Sequence, residues 1–252
     1  MLAIAFLGAA MSVNMFLVAS STILLNVFYI AIIASLIAIR MYEKKSKNID
    51  LLFLIVGMLT AYFDFLSCET ITLTIPLFIY LFIHLKDDKK IDIKLIIKII
   101  VLWLVGFVIS NLVRWLLVVI HYNGHFKEKV LDPMSIRVYK ENSNIFKAFI
   151  NNIRNSFNYF IPFAYIKEKF IFVILSTIIY IVNLIKEKKN RIIYLFLVLI
   201  CMVPLGRYFV LSSHVMDHNY FTYRAFFPII MLLIISDLLF IKSLIKKIKN
   251  IS

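Results

Sequence analysis

The sequence predicts an all-α, polytopic membrane bundle, and three observations lead there. Hydrophobic residues make up 62% of the 252 residues and the mean hydropathy is +0.93, well beyond the ~45–50% apolar content of soluble domains. The apolar residues fall in blocks of about 15 to 26 separated by short charged stretches, and about 20 such residues cross a bilayer. Finally, only 5 glycines and no alternating apolar/polar strands argue against a β-barrel. The length accommodates about seven or eight crossing helices and one sizeable loop. A water-soluble enzyme, a disordered chain and a disulfide scaffold are excluded.

Taken in order, the first 39 residues carry no charge, and Arg40 is the first. No basic leader region precedes the apolar start, so a signal peptide is not indicated. Residues 2–19 and 22–39 read as two spans hinged at Ser20 and Ser21. Further spans are expected at 51–67, 70–85, 95–120, 170–186, 192–206 and 224–241. Between Ser143 and Phe160, Ile145, Phe146, Phe149, Ile150, Ile153, Phe157 and Phe160 recur at helical spacing. Asn144, Lys147, Asn151, Asn152, Arg154, Asn155 and Asn158 fill the other positions. This pattern predicts an amphipathic helix lying in the lipid interface, ended by Pro162; the alternative is a helix packed on neighbouring loops. With no internal repeat, residues 1–252 read as one transmembrane domain.

The net charge of +14 is explained by its location. Basic residues cluster at Arg40–Lys47, Lys86–Lys94, Lys186–Arg191 and Lys242–Lys249, all between or after apolar blocks. Short Lys/Arg-rich connectors face the cytoplasm and anionic lipid. This placement predicts a multi-pass cell-membrane protein with both termini cytoplasmic and membrane lipids as partners. No nucleic-acid partner is expected, because no basic run is interleaved with stacking aromatics. The segments around Ser67–Glu69, 121–169 and 207–223 are then external. Cys68 and Cys201 lie at or inside apolar blocks and read as packing residues.

Ionisable groups inside apolar spans are functional candidates. Asp64 shares a helical face with Thr60 and Ser67, and Arg114 shares one with Asn111 and His121. At similar depth the two are expected to form an ion pair, serving either helix packing or substrate. The segment 207–224, RYFVLSSHVMDHNYFTYR, gathers Arg207, His214, Asp217, His218, Tyr223 and Arg224. Arg and His suit a phosphate group, although Arg224 beside Tyr220 and Tyr223 also fits an interfacial anchor. His214, Asp217 and His218 have the H-x-x-D-H spacing that a divalent metal would need on a helix, a short pattern that also arises by chance. No cofactor is expected.

Two stretches, AYFDFLSCETITLTIPL at 61–77 and HNYFTYR at 218–224, resemble segments of bacterial multi-span proteins related to the GT-C class of glycosyltransferases. The resemblance implies sugar transfer from a polyprenyl-phosphate donor to a cell-envelope acceptor on the external face. It makes Asp64 the acid of the first motif, and assigns His218, Tyr223 and Arg224 to the second, near the donor phosphate. It also implies a catalytic carboxylate in the first external loop, but residues 19–22 contain no acid. The chain is therefore expected to correspond to the C-terminal part of such a protein. Asp64 and Asp217 remain the candidate bases for the acceptor hydroxyl. Two other readings stand beside this one: a transporter or flippase for a lipid-linked or anionic substrate, and a non-catalytic accessory membrane protein.

Overall fold

A computed structural model describes residues 1–15, 22–64, 68–138, 145–160 and 166–249. Among these residues the structure is helical throughout, with no strand. Each expected span has a helix: α1 (Leu2–Ser12), α2 (Thr22–Glu43), α3 (Ile49–Phe63), α4 (Ile71–Lys86), α5 (Ile93–His121), and later α8 (Ile166–Lys186), α9 (Arg191–Val210) and α12 (Phe227–Lys249). Five of the eight, α2, α5, α8, α9 and α12, are long and apolar enough to cross a membrane; α1, α3 and α4 are shorter. The expected hinge at Ser20 and Ser21 and the break at Pro162 lie outside the described residues. Between α5 and α8 come a π-turn (Lys127–Leu131), α6 (Asp132–Val138) and α7 (Ile145–Phe157). Between α9 and α12 come α10 (Ser212–Asp217), α11 (Asn219–Thr222) and a 3₁₀ turn (Tyr223–Phe226).

The short α4 is the centre of the bundle. Every residue from Ile71 to Phe82 is buried, with α2, α3, α9 and α12 packed around it. Helix α5 packs mainly on α3, burying Ile96, Ile99, Trp103 and Gly106. Its opposite face leaves Val101, Leu104, Val108, Leu112 and Leu116 exposed, the apolar exterior that hydrocarbon requires. The α3–α5 seam is close because two glycines face the partner backbone. A methyl group at Gly57 would overlap the Trp103 carbonyl, and one at Gly106 would overlap the Leu54 carbonyl. Without a hydrophobic driving force between helices in lipid, such small-residue contacts drive association. A buried hydrogen-bond chain completes the seam: Trp103 Nε1 donates to Thr72 Oγ1 at 3.2 Å, and Thr72 meets Thr60 Oγ1 at 2.7 Å.

The two ends of the bundle differ. Three lysine-rich connectors meet at one end, where Asp88 pairs with Lys189, Tyr42 donates to Asp87 at 2.7 Å, and Lys98 pairs with Asp50 at 2.5 Å. The other end carries α6, α7, α10 and α11.

Candidate functional site

The site lies at the end away from the lysine-rich connectors. Its centre is an ion pair that sequence reading did not assemble. Arg207 Nε donates to Glu69 Oε1 at 2.6 Å, with the two side chains only 3% and 7% exposed. Arg207 was expected in an external loop. Instead α9 continues through Pro204 to Val210, so Arg207 stands one turn inside the helix and points into the bundle. The cause is local: Tyr208, Phe209 and Val210 extend the apolar pattern past residue 206, and Tyr208 is fully buried. Glu69 sits just before α4. Its signal was available, since an acid flanked by two apolar blocks calls for a partner.

The pair is not isolated. The buried Cys68 thiol interacts electrostatically with Asp64, Glu69, Arg207 and Arg224, and burial pushes it well above its usual pKa. Asp64 also attracts Arg207. Two acids and two cations therefore gather around the α3–α4 turn. Asp64 accepts from the Cys68 amide at 3.2 Å, holding that turn. Arg114 is elsewhere engaged: its Nη1 donates to the Ala61 carbonyl in the last turn of α3, where a cation satisfies an orphan carbonyl and the helix dipole. Arg114 thus meets the end of the α3 backbone, and Asp64 the amide of the following turn.

Arg224, on the 3₁₀ turn, is 7% exposed. Its Nη1 reaches the Tyr220 carbonyl at a long 3.4 Å, its guanidinium lies 4.9 Å from the Tyr223 ring centroid, and its buried Nε has no hydrogen-bond partner. No ion pair joins Arg224 to an acid among the described residues. Tyr223 is itself buried, stacked on Tyr159 at 5.2 Å. The interfacial-anchor reading of Arg224 does not hold, since an anchor would be exposed.

His214 and His218 face each other, ring centroids 4.7 Å apart, and with Pro133, Ile136 and Asp217 line a cavity of about 320 Å³. Helix α10 stops at Asp217, which leaves His218 at its cap. The H-x-x-D-H residues therefore do not share one continuous helix, and among the described residues no three His, Cys, Asp or Glu side chains gather as metal ligands.

Helix α7 is seated by polar residues. Asn152 donates to the Ser212 carbonyl at 2.8 Å, and Asn219 donates to the Asn152 carbonyl at 3.1 Å. Ser156 lies between the Tyr208 hydroxyl at 2.8 Å and Asn219 Oδ1 at 2.9 Å. Asn152, expected on the solvent side, is buried. The helix therefore docks a polar stripe together with Phe149, Ile153 and Phe157, while Phe146 and Ile150, 68% and 62% exposed, project beside it. No family model, curated protein or solved structure matches the chain.

Proposed function

We propose that the chain is a glycosyltransferase-like membrane protein of the cell envelope. It holds the phosphate of a polyprenyl-phosphate-linked sugar at the Glu69–Arg207–Arg224 end, which is the external face. The observation that carries this reading is Arg224, a buried guanidinium with an unpartnered Nε and no carboxylate partner among the described residues. A buried cation is costly unless an anion completes it, and the planar guanidinium fork matches phosphate oxygens. The neighbouring Glu69–Arg207 pair fixes the surrounding helices. Glu69 pairs with Arg207 through Oε1, and Asp64 accepts from the Cys68 amide. The proposal therefore assigns the site donor-phosphate binding and no base. The exposed Phe146 and Ile150 support placing α7 in the lipid interface beside it.

A second reading, an accessory subunit without its own chemistry, is favoured by one observation. The Asn152–Ser156–Tyr208–Asn219 network and the Arg114–Ala61 bond are spent on local structure. The two readings separate by native mass spectrometry of the purified protein with a polyprenyl phosphate. The first expects a retained 1:1 adduct that Arg224→Gln loses by about tenfold or more, the effect of a charge-assisted bond. Equal retention by both proteins, or by neither, supports the accessory reading.

A further inference from the structure

A second site stands at the opposite, lysine-rich end and is independent of Arg224. There α2 and α4 finish side by side, each in the same cap. Lys45 N donates to the Tyr42 carbonyl at 3.0 Å and Ser46 N to Met41 at 2.9 Å. Asp88 N donates to Leu85 at 3.3 Å and Lys89 N to His84 at 3.0 Å. In this motif the residue after the helix is left-handed and is usually glycine. Here the positions hold Lys45 at φ 51° and Asp88 at φ 55°. A side chain in that region costs about 1 kcal/mol or more, so strain is kept at both turns where glycine would remove it.

The two side chains put that conformation to use. Asp88 turns away, pairing with Lys189 and accepting from Asn190 Nδ2 at 3.1 Å. Lys45 borders a cavity of about 280 Å³, whose other polar walls are Tyr42, Ser46, Tyr80, His84 and Lys89. Three rings form one side of it, with His84 4.7 Å from Tyr42 and 4.5 Å from Tyr80. His84 Nδ1 is 3.0 Å from the Tyr80 carbonyl and must be the donor, leaving Nε2 as the other polar atom of the ring. Lys89 lies 4.5 Å over Tyr42 and 3.7 Å from Asp87, the acid that Tyr42 also engages. Lys45 joins no acid among the described residues.

We propose that this cavity binds a phosphorylated polyol, with Lys45 and Lys89 on the phosphate and the hydroxyls against the Tyr42, Tyr80 and His84 rings. Two lysines and a serine suit an anionic oxygen cluster, and the volume is that of a small headgroup rather than a nucleotide. An anionic lipid presents this chemistry at a lysine-rich membrane face, and a free glycerol phosphate presents it in solution.

The test uses the purified chain. Lipid retention is read by native mass spectrometry from nanodiscs mixing phosphatidylglycerol with phosphatidylcholine, and glycerol 1-phosphate is added in a thermal-shift assay. Lys45→Gly relieves the left-handed turn and should leave the melting temperature unchanged or raised. It should also lower retention of phosphatidylglycerol about tenfold, the effect of losing one charge-assisted hydrogen bond to the phosphate. Lys89→Gln should do likewise, while Lys44→Gln, next in sequence but off the cavity, should change it less than twofold. Stabilisation of the wild type by glycerol 1-phosphate, lost in Lys45→Gly, identifies a soluble ligand; lipid retention alone identifies a headgroup. Equal losses in Lys44→Gln and Lys45→Gly, or no preference for either probe, overturn the proposal.

Discussion

Replacing Glu69 by glutamine should be among the most destabilising single changes at the α3–α4 turn. The side chain is 7% exposed and meets an Arg207 that is 3% exposed, at 2.6 Å, so neither group has water to fall back on. Breaking one partner of a buried pair costs about 3–5 kcal/mol, because the remaining charge stays buried. Asp64 still attracts Arg207, which places Glu69→Gln near about 3 kcal/mol, the low end of that range. At ~2–4 °C per kcal/mol for a chain of this size, the melting temperature should fall by about 6–12 °C. Differential scanning fluorimetry in detergent micelles reads this directly. Arg207→Met should fall comparably, and the double variant Glu69→Leu/Arg207→Met should lose clearly less than the sum, since a pair replaced by apolar groups of similar size leaves no orphan charge. Single-variant shifts below about 2 °C, or strict additivity in the double variant, would refute the reasoning.

Four further outcomes follow from the same geometry. Gly57→Ala should destabilise by about 1–3 kcal/mol because its methyl meets the Trp103 backbone carbonyl; urea unfolding in micelles measures it, and Gly206→Ala, with open space around it, is the control. Asn152→Leu should free α7, since it removes the bond to the Ser212 carbonyl; limited proteolysis should then cut within 145–157 at least about tenfold faster, as a local opening of ~1.4 kcal/mol implies. The buried thiol of Cys68, held protonated, should resist maleimide in the folded protein and react fully on denaturation. The Lys189 ammonium and Asn190 amide hold the Asp88 carboxyl below its usual value. Their tie between connectors is therefore intact above about pH 4 and is lost as pH falls through the lowered pKa. Lys189→Gln should remove that low-pH component from a stability-versus-pH series.

What the sequence revealed, and what it hid, divides along a physical line. Length and hydropathy are properties of single segments, and each expected span carries a helix in the structure. The lysine-rich connectors likewise meet at one end through Asp88–Lys189 and Tyr42–Asp87. The site depended on pairs. Arg207 was singled out from its surroundings, but its partner stands 138 residues earlier in the chain, and no periodicity reports a contact at that distance. Asp64 and Arg114 were matched by depth alone, and depth does not report that the Ala61 carbonyl receives Arg114. Asn152 looks solvent-facing on a helical wheel because a wheel cannot know that another helix will offer the Ser212 carbonyl. The boundary of α9 slipped past 206 for a related reason. A charged residue usually closes a span, but here the apolar pattern resumes at Tyr208 and the pairing with Glu69 accommodates Arg207 inside.

The claim beneath the functional account is that the buried charges face outward while the lysine-rich connectors face the cytoplasm. Single cysteines at Met216, exposed beside the candidate site, and at Lys247, exposed near the end of α12, test it in intact cells with a membrane-impermeant maleimide, because Cys68 and Cys201 are buried. The account expects Met216→Cys to label in intact cells and Lys247→Cys to label only after permeabilisation. The reverse pattern would contradict it.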